Sequence, residues 1–172
     1  MGKATGYHLP ESFLERVCVA LSLHKVRYSI VGGFAVSLHG AVRGTTDIDA
    51  VIEHQREQFE LCEKALKSIG LVPRLPVKAA EVFEFRREYI ENRNLIAWSF
   101  INPHNPLEVV DIVITHDLSQ MRSDRIKLGR RFIEVMSIGD LIEMKKASAR
   151  PQDIEDVKAL EEIASFSKGE AP

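Results

Sequence analysis

The chain has 172 residues, 45% of them hydrophobic, enough for one full core that buries roughly 70% of the unfolded surface. Its 23 basic and 25 acidic residues leave a formal charge of -2, which excludes a global attraction to nucleic acid or to an anionic membrane, so a polyanionic ligand must be held locally. Cys18 and Cys62 lie in helical segments outside any CxxC or Cys/His metal spacing, and no apolar run approaches the length of a membrane span. The opening "MGKATGYHLPE" lacks the apolar core of a signal peptide, so the expectation is a reduced, cytoplasmic protein with no membrane partner.

In chain order, Phe13, Leu14, Val17 and Leu21 recur at helical spacing behind Pro10 and predict a helix over about 11–24. "RYSIV" predicts a short strand that ends at Gly32 and Gly33, and "FAVSLHG" a short helix closed by Gly40. "TDIDAVIE" is the next strand, followed by a helix in "REQFELCEKALKSIG". "VFEFRREY", "NLIAWSFI" and "LEVVDIVI" predict strands, divided by "IENR" and by the turn "NPHNP", and "RRFIEVM" is a short or edge strand. Ser137, with Asp140 three residues on, predicts a capped start for the helix in "SIGDLIEMKKASA"; Pro151 then suits the first position of the helix in "PQDIEDVKALEEIASF". The result is an α+β (α/β) layout in one domain over 1–172, a mixed sheet with helices on one side and two C-terminal helices, ending in a loose polar tail from about 167.

Alternation along a strand sends Asp47, Asp49 and Val51 to one face and Ile48, Ala50 and Ile52 to the other. Asp111 sits in mid-strand with Val109 and Val113 on its own face, where an isolated carboxylate is costly unless paired, protonated or bound to a cation. Three converging carboxylates repel one another, and a divalent cation reverses that balance; oxygen-only ligation favours magnesium or manganese over zinc. Such a centre suits phosphoryl and nucleotidyl transfer. A lone DxD is also the pattern of a turn or a solvated strand end, but neither accounts for Asp111.

Gly32 and Gly33 fall where a strand gives way to a helix, so backbone N–H groups there can meet a phosphate; a plain turn has the same sequence. Arg43, Thr45 and Thr46 bring donors that reach phosphate oxygens, or Arg43 neutralises Asp47 or Asp49 as a structural partner. Lys145 continues the apolar stripe of Ile138, Leu141 and Ile142, so its amine either snorkels to solvent or enters a cleft. Asp153 is explained by capping, and Asp156 with Arg150 by a surface pair. The basic run "RSDRIKLGRR" is either a solvated loop or a path for an RNA backbone. His39, Trp98 and Phe100 are expected in structural roles.

"IVGGFAV", "TDIDAV" and "VVDIVI", in that order, resemble the nucleotidyltransferase superfamily built on the DNA polymerase β-like core. "RGTTDID" and "MKKASARPQDIEDVKAL" are similar, more closely, to small bacterial AbiEii-toxin-like nucleotidyltransferases. The resemblance implies that Gly32 and Gly33 contact the triphosphate, that Asp47 and Asp49 hold two metal ions, Mg2+ or Mn2+, and that Asp111 shares one and activates the acceptor hydroxyl. It favours the cleft for Lys145, near a phosphate or an active-site carboxylate and beside the donors Arg43, Thr45 and Thr46 read above, and implies transfer from an NTP such as ATP to an RNA, protein or small-molecule hydroxyl, with release of pyrophosphate. The alternative is a catalytically silent member that binds a partner protein in a toxin-antitoxin-like pair.

Overall fold

The structure, a computed structural model, describes residues 11–169; Pro10, the opening segment and the end of the predicted tail lie outside the described residues. Helix α1 (Phe13–Leu23) starts at Ser12, whose hydroxyl accepts from the Glu15 N–H while the Glu15 carboxylate accepts from the Ser12 N–H at 2.8 Å. That reciprocal pair satisfies two otherwise unpaired donors of the helix start. Strand β1 (Tyr28–Val31) runs straight into α2 (Gly32–Leu38), then β2 (Ile48–Ile52) and α3 (Arg56–Ser68) follow. After the two-residue β3 (Val72–Pro73) come α4 (Ala79–Glu84), α5 (Arg86–Arg93), β4 (Ala97–Asn102) and β5 (Asn105–Val113). The chain continues through β6 (Ser123–Leu128), β7 (Arg131–Met136), α6 (Ile138–Ser148) and α7 (Pro151–Gly169).

The seven strands form one mixed sheet in the order β3-β4-β5-β2-β1-β7-β6. At its centre β2 lies parallel to β5 and antiparallel to β1, and both outer neighbours, β4 and β6, close hairpins with β5 and β7. Ile48, Ala50, Val51, Ile52, Val110, Ile112 and Ile114 are buried, as expected of central strands covered on both faces. Trp98 packs edge-on against Phe100 and stacks on Phe59 of α3, which fixes that helix on the sheet. Trp98 and Phe100 are therefore core. His39 donates through Nε2 to the Met136 carbonyl at 2.7 Å, a structural histidine, and both cysteines are buried and free.

Three features depart from the sequence reading. "VFEFRREY" is helical, spanning the end of α4 and the start of α5. The alternation of Phe83 and Phe85 mimics a strand, but Glu and Arg are good helix formers. Glu81 also caps the Lys78 N–H at 2.8 Å, and Val82 is the residue that reaches the core. The basic run is not a loop: it holds edge strand β6, the turn at Gly129 and the start of β7. Finally, residues 167–169 form the last turn of α7.

Candidate active site

The two segments that carry the aspartates meet at the middle of the sheet. In the parallel pairing of β2 and β5, Asp49 is the register partner of Asp111, so both side chains leave the same face of neighbouring strands. Across β5 the partner of Asp111 is Ser99 of β4, whose Oγ donates to Asp111 Oδ1 at 2.5 Å. On the other flank Asp49 faces Val31, the last residue before the Gly-Gly pair. Asp47 precedes β2, in the exposed end of the loop from Ala41, where it accepts from Thr46 Oγ1 at 3.1 Å. The strand expectation for Asp47 thus fails by one residue: the β1 pairing ends at Val31 opposite Asp49, and the chain bends at Asp47 before β2 begins.

Both glycines have a packing reason. A Cβ on Gly32 would lie 2.1 Å from Asp49 Oδ2, and its φ of +65° also favours glycine; a Cβ on Gly33 would lie 2.8 Å from Thr45 Cβ. Bare backbone at these positions lets the α2 start close down on the Asp49 carboxylate and on the loop that delivers it.

The charges around the pair are unequal. Burial, then repulsion from Asp111 and Asp47, pushes the Asp49 carboxyl up to about 6, against an opposing pull from Lys145 and Arg150. Neither cation is free to neutralise it. Lys145 is buried, and its Nζ donates to Asp153 Oδ1 at 3.0 Å and to Asp156 Oδ2 at 2.7 Å. Its amine therefore neither snorkels nor stands open in a cleft. Arg150 donates through Nε to Asp153 Oδ2 at 2.8 Å. Burial alone would raise the Asp153 carboxyl, but hydrogen bonds from Arg150, Lys145 and Ser148 hold it well below the usual carboxylate range.

Asp153 and Asp156 are only 1% and 3% exposed, so the expected surface pair is instead a buried network. Asp153 does keep its capping role, accepting the Arg150 N–H at 3.2 Å. Spacing on α7 hid the rest, since both acids and their lysine face the interior of the α6–α7 pair. Ser99 was equally invisible, because its relation to Asp111 arises only in the β4–β5 hairpin.

Among the described residues no group of three or more His, Cys, Asp or Glu side chains is placed to hold a metal ion. The acidic centre is therefore a pair, Asp49 and Asp111, with Asp47 at its rim. Two carboxylates in register, their mutual repulsion and the raised Asp49 carboxyl are the chemistry that a hard divalent cation fits.

Residues 11–167 match the family model described as nucleotidyltransferase of unknown function (DUF6036). The chain belongs to this family. Solved structures agree on the fold. The antibiotic-resistance factor ANT(2'')-Ia in solution aligns with a TM-score of 0.58 at 13% identity, covering 91% of this chain and 90% of that one. The lincomycin-bound lincosamide antibiotic adenylyltransferase LnuA aligns with a TM-score of 0.58 at 17% identity, covering 90% and 98%. A nucleotidyltransferase-like antigen from Paracoccidioides brasiliensis aligns with a TM-score of 0.54 at 15% identity, covering 86% and 74%. No curated protein matches the chain. This DUF6036 member thus has the nucleotidyltransferase fold of the polymerase β-like superfamily, and among its described residues no helix is long and apolar enough to cross a membrane.

Proposed function

We propose that the protein is a magnesium-dependent nucleotidyltransferase that moves a nucleoside monophosphate from an NTP to a hydroxyl acceptor and releases pyrophosphate. One observation carries the proposal: Asp49 and Asp111 stand in register on adjacent parallel strands while the neighbouring cations are committed to Asp153 and Asp156. A divalent ion bound by Asp49 and Asp111, with Asp47 adding a ligand from the rim, supplies charge neutralisation for the triphosphate and the leaving oxygen.

The chain's own groups take the remaining tasks. Asp111, oriented by Ser99, accepts the proton of the attacking hydroxyl as its oxygen bonds to the α-phosphorus and the bond to pyrophosphate breaks. Arg43, Thr45 and Thr46 donate to phosphate oxygens, and Gly32 and Gly33, whose missing side chains make room for Asp49 and Thr45, offer their backbone N–H groups to the triphosphate at the start of α2. Lys145, with Arg150 on Asp153 and Arg43 on Asp156, keeps these two carboxylates neutralised next to the nucleotide.

Within the superfamily, "RGTTDID" and the Lys145, Arg150, Asp153, Asp156 constellation support a place beside the AbiEii-like toxins. The acceptor is then an RNA, a protein or a small molecule; the fold neighbours solved with lincomycin and with adenylyl-2''-tobramycin make lincomycin and tobramycin the first small molecules to try. The test is incubation with each radiolabelled NTP, magnesium and a panel of these acceptors. Binding and label transfer are expected, both lost in Asp49→Ala and transfer lost in Asp111→Ala.

The absence of a three-ligand cluster among the described residues favours a second reading, a silent fold that docks a partner protein. A copurifying partner that covers the aspartates, with no NTP binding after its removal, would decide for that reading.

A further inference from the structure

We infer that Asp156 is a positioning residue: it holds Arg43 in place for the phosphates of the nucleotide and keeps that guanidinium off the aspartate pair. The inference rests on the nucleotidyl-transfer reading and deepens it.

Asp156 lies near the start of α7 and is almost fully buried, with each oxygen assigned. Oδ2 accepts from Lys145 Nζ at 2.7 Å. Oδ1 accepts from Gln152 Nε2 at 3.2 Å and faces Arg43 Nε at 3.2 Å. This last approach joins the C-terminal helices to the loop between α2 and β2.

Arg43 is fixed at three points. Its carbonyl accepts from Ser37 Oγ at 2.6 Å, its Nη1 donates to the Gly44 carbonyl, and its Nε is drawn to Asp156. Nε is buried against Asp156 without a well-aligned hydrogen bond, and Nη1 is taken by the Gly44 carbonyl, whereas Nη2 makes no hydrogen bond among the described residues and is the donor left for a ligand. A quarter of the Arg43 side chain remains exposed, enough to meet an incoming oxyanion.

The loop has no regular backbone hydrogen bonding between residues 41 and 46 and runs directly into Asp47 and Asp49. Whatever anchors Arg43 therefore anchors the approach to the acidic pair. Charge gives the second half of the role. Arg43 is four residues from Asp47 and six from Asp49 in the sequence, and an unanchored guanidinium in a region of repelling carboxylates would pair with them. Asp156 supplies a buried negative partner from the other side and leaves the aspartates open.

The test reads magnesium tripolyphosphate, a probe independent of the base, by titration calorimetry on the full chain, with thermal unfolding as a folding control. Arg43→Ala weakens binding about tenfold, the size of one charge-assisted phosphate contact. Asp156→Asn gives a similar loss, and the double variant binds no worse than Arg43→Ala alone, because one residue acts through the other. Asp156→Glu retains the charge that Lys145 needs while displacing it from Arg43. It loses affinity severalfold, and that loss vanishes in the Arg43→Ala background.

Wild-type affinity in Asp156→Asn, or losses that multiply in the double variant, overturns the inference. Should Asp156→Asn fail to fold, wild-type affinity in Asp156→Glu overturns it equally. A wild-type chain that binds no magnesium tripolyphosphate sinks the nucleotidyl-transfer reading itself, and the inference goes with it.

Discussion

Two acidic pairs lie close together in this protein and behave oppositely. Asp153 and Asp156 are the more deeply buried, yet Lys145 and Arg150 hold Asp153 firmly ionised. Asp49 and Asp111 share a sheet face without a committed cation, and Asp49 is pushed toward its neutral form. Burial alone does not set the state of a carboxylate; the partners that folding assigns to it do. The first pair is complete as a structural unit, whereas the second has no cation of the chain committed to it.

The sharpest way to break this contrast is to remove the cation of the closed pair. Lys145→Ala removes the one buried cation shared by two buried carboxylates, leaving them only Arg150 and Arg43, and is expected to cost about 3 kcal/mol, lowering Tm by about 10 °C in a thermal unfolding scan. A loss below about 1 kcal/mol would mean that the closed pair is no more demanding than the open one.

Asp49→Asn should act with the opposite sign. A folded-state value near 6 against 3.8 penalises the ionised form, so the folded chain is destabilised as pH rises from about 4 through 6. The substitution is therefore expected to stabilise the metal-free protein by about 2–3 kcal/mol at pH 8 and by almost nothing at pH 4, read from denaturant unfolding at both. Asp153 defines the other limb: its lowered carboxyl contributes stability above its unfolded value and loses it as pH falls below about 4.

Magnesium sharpens the comparison further. At pH 8 it should raise Tm in the wild type and not in Asp49→Asn. Below about pH 6 its apparent affinity should fall up to about tenfold per unit as protons compete for Asp49. A pH-independent magnesium effect would move the ion elsewhere. The smallest change concerns the joint that sets the closed pair: Ala149, between α6 and α7, has φ of +50°, and Ala149→Gly is expected to add about 0.5–1 kcal/mol.

Much of this was legible locally. Gly70 ends α3 with positive φ, Ser137 caps α6 and Pro151 opens α7, each through contacts within a few residues. The segment 82–89 was misread because two phenylalanines in alternation outweighed capping by Glu81, and β6 was missed because an edge strand needs no apolar run.

The sequence by itself determined the strand-glycine-helix start, the alternation that sets Asp49 apart from Ile48 and Ala50, and the order of the acidic segments, since these follow from side-chain period and backbone preference over short stretches. Only the tertiary structure decided that Asp111 stands level with Asp49, that Ser99 orients it, and that Asp153 and Asp156 take Lys145 for themselves. Strand register and the neutralisation of buried charge join residues distant along the chain, and no local pattern encodes which acid a given cation will meet.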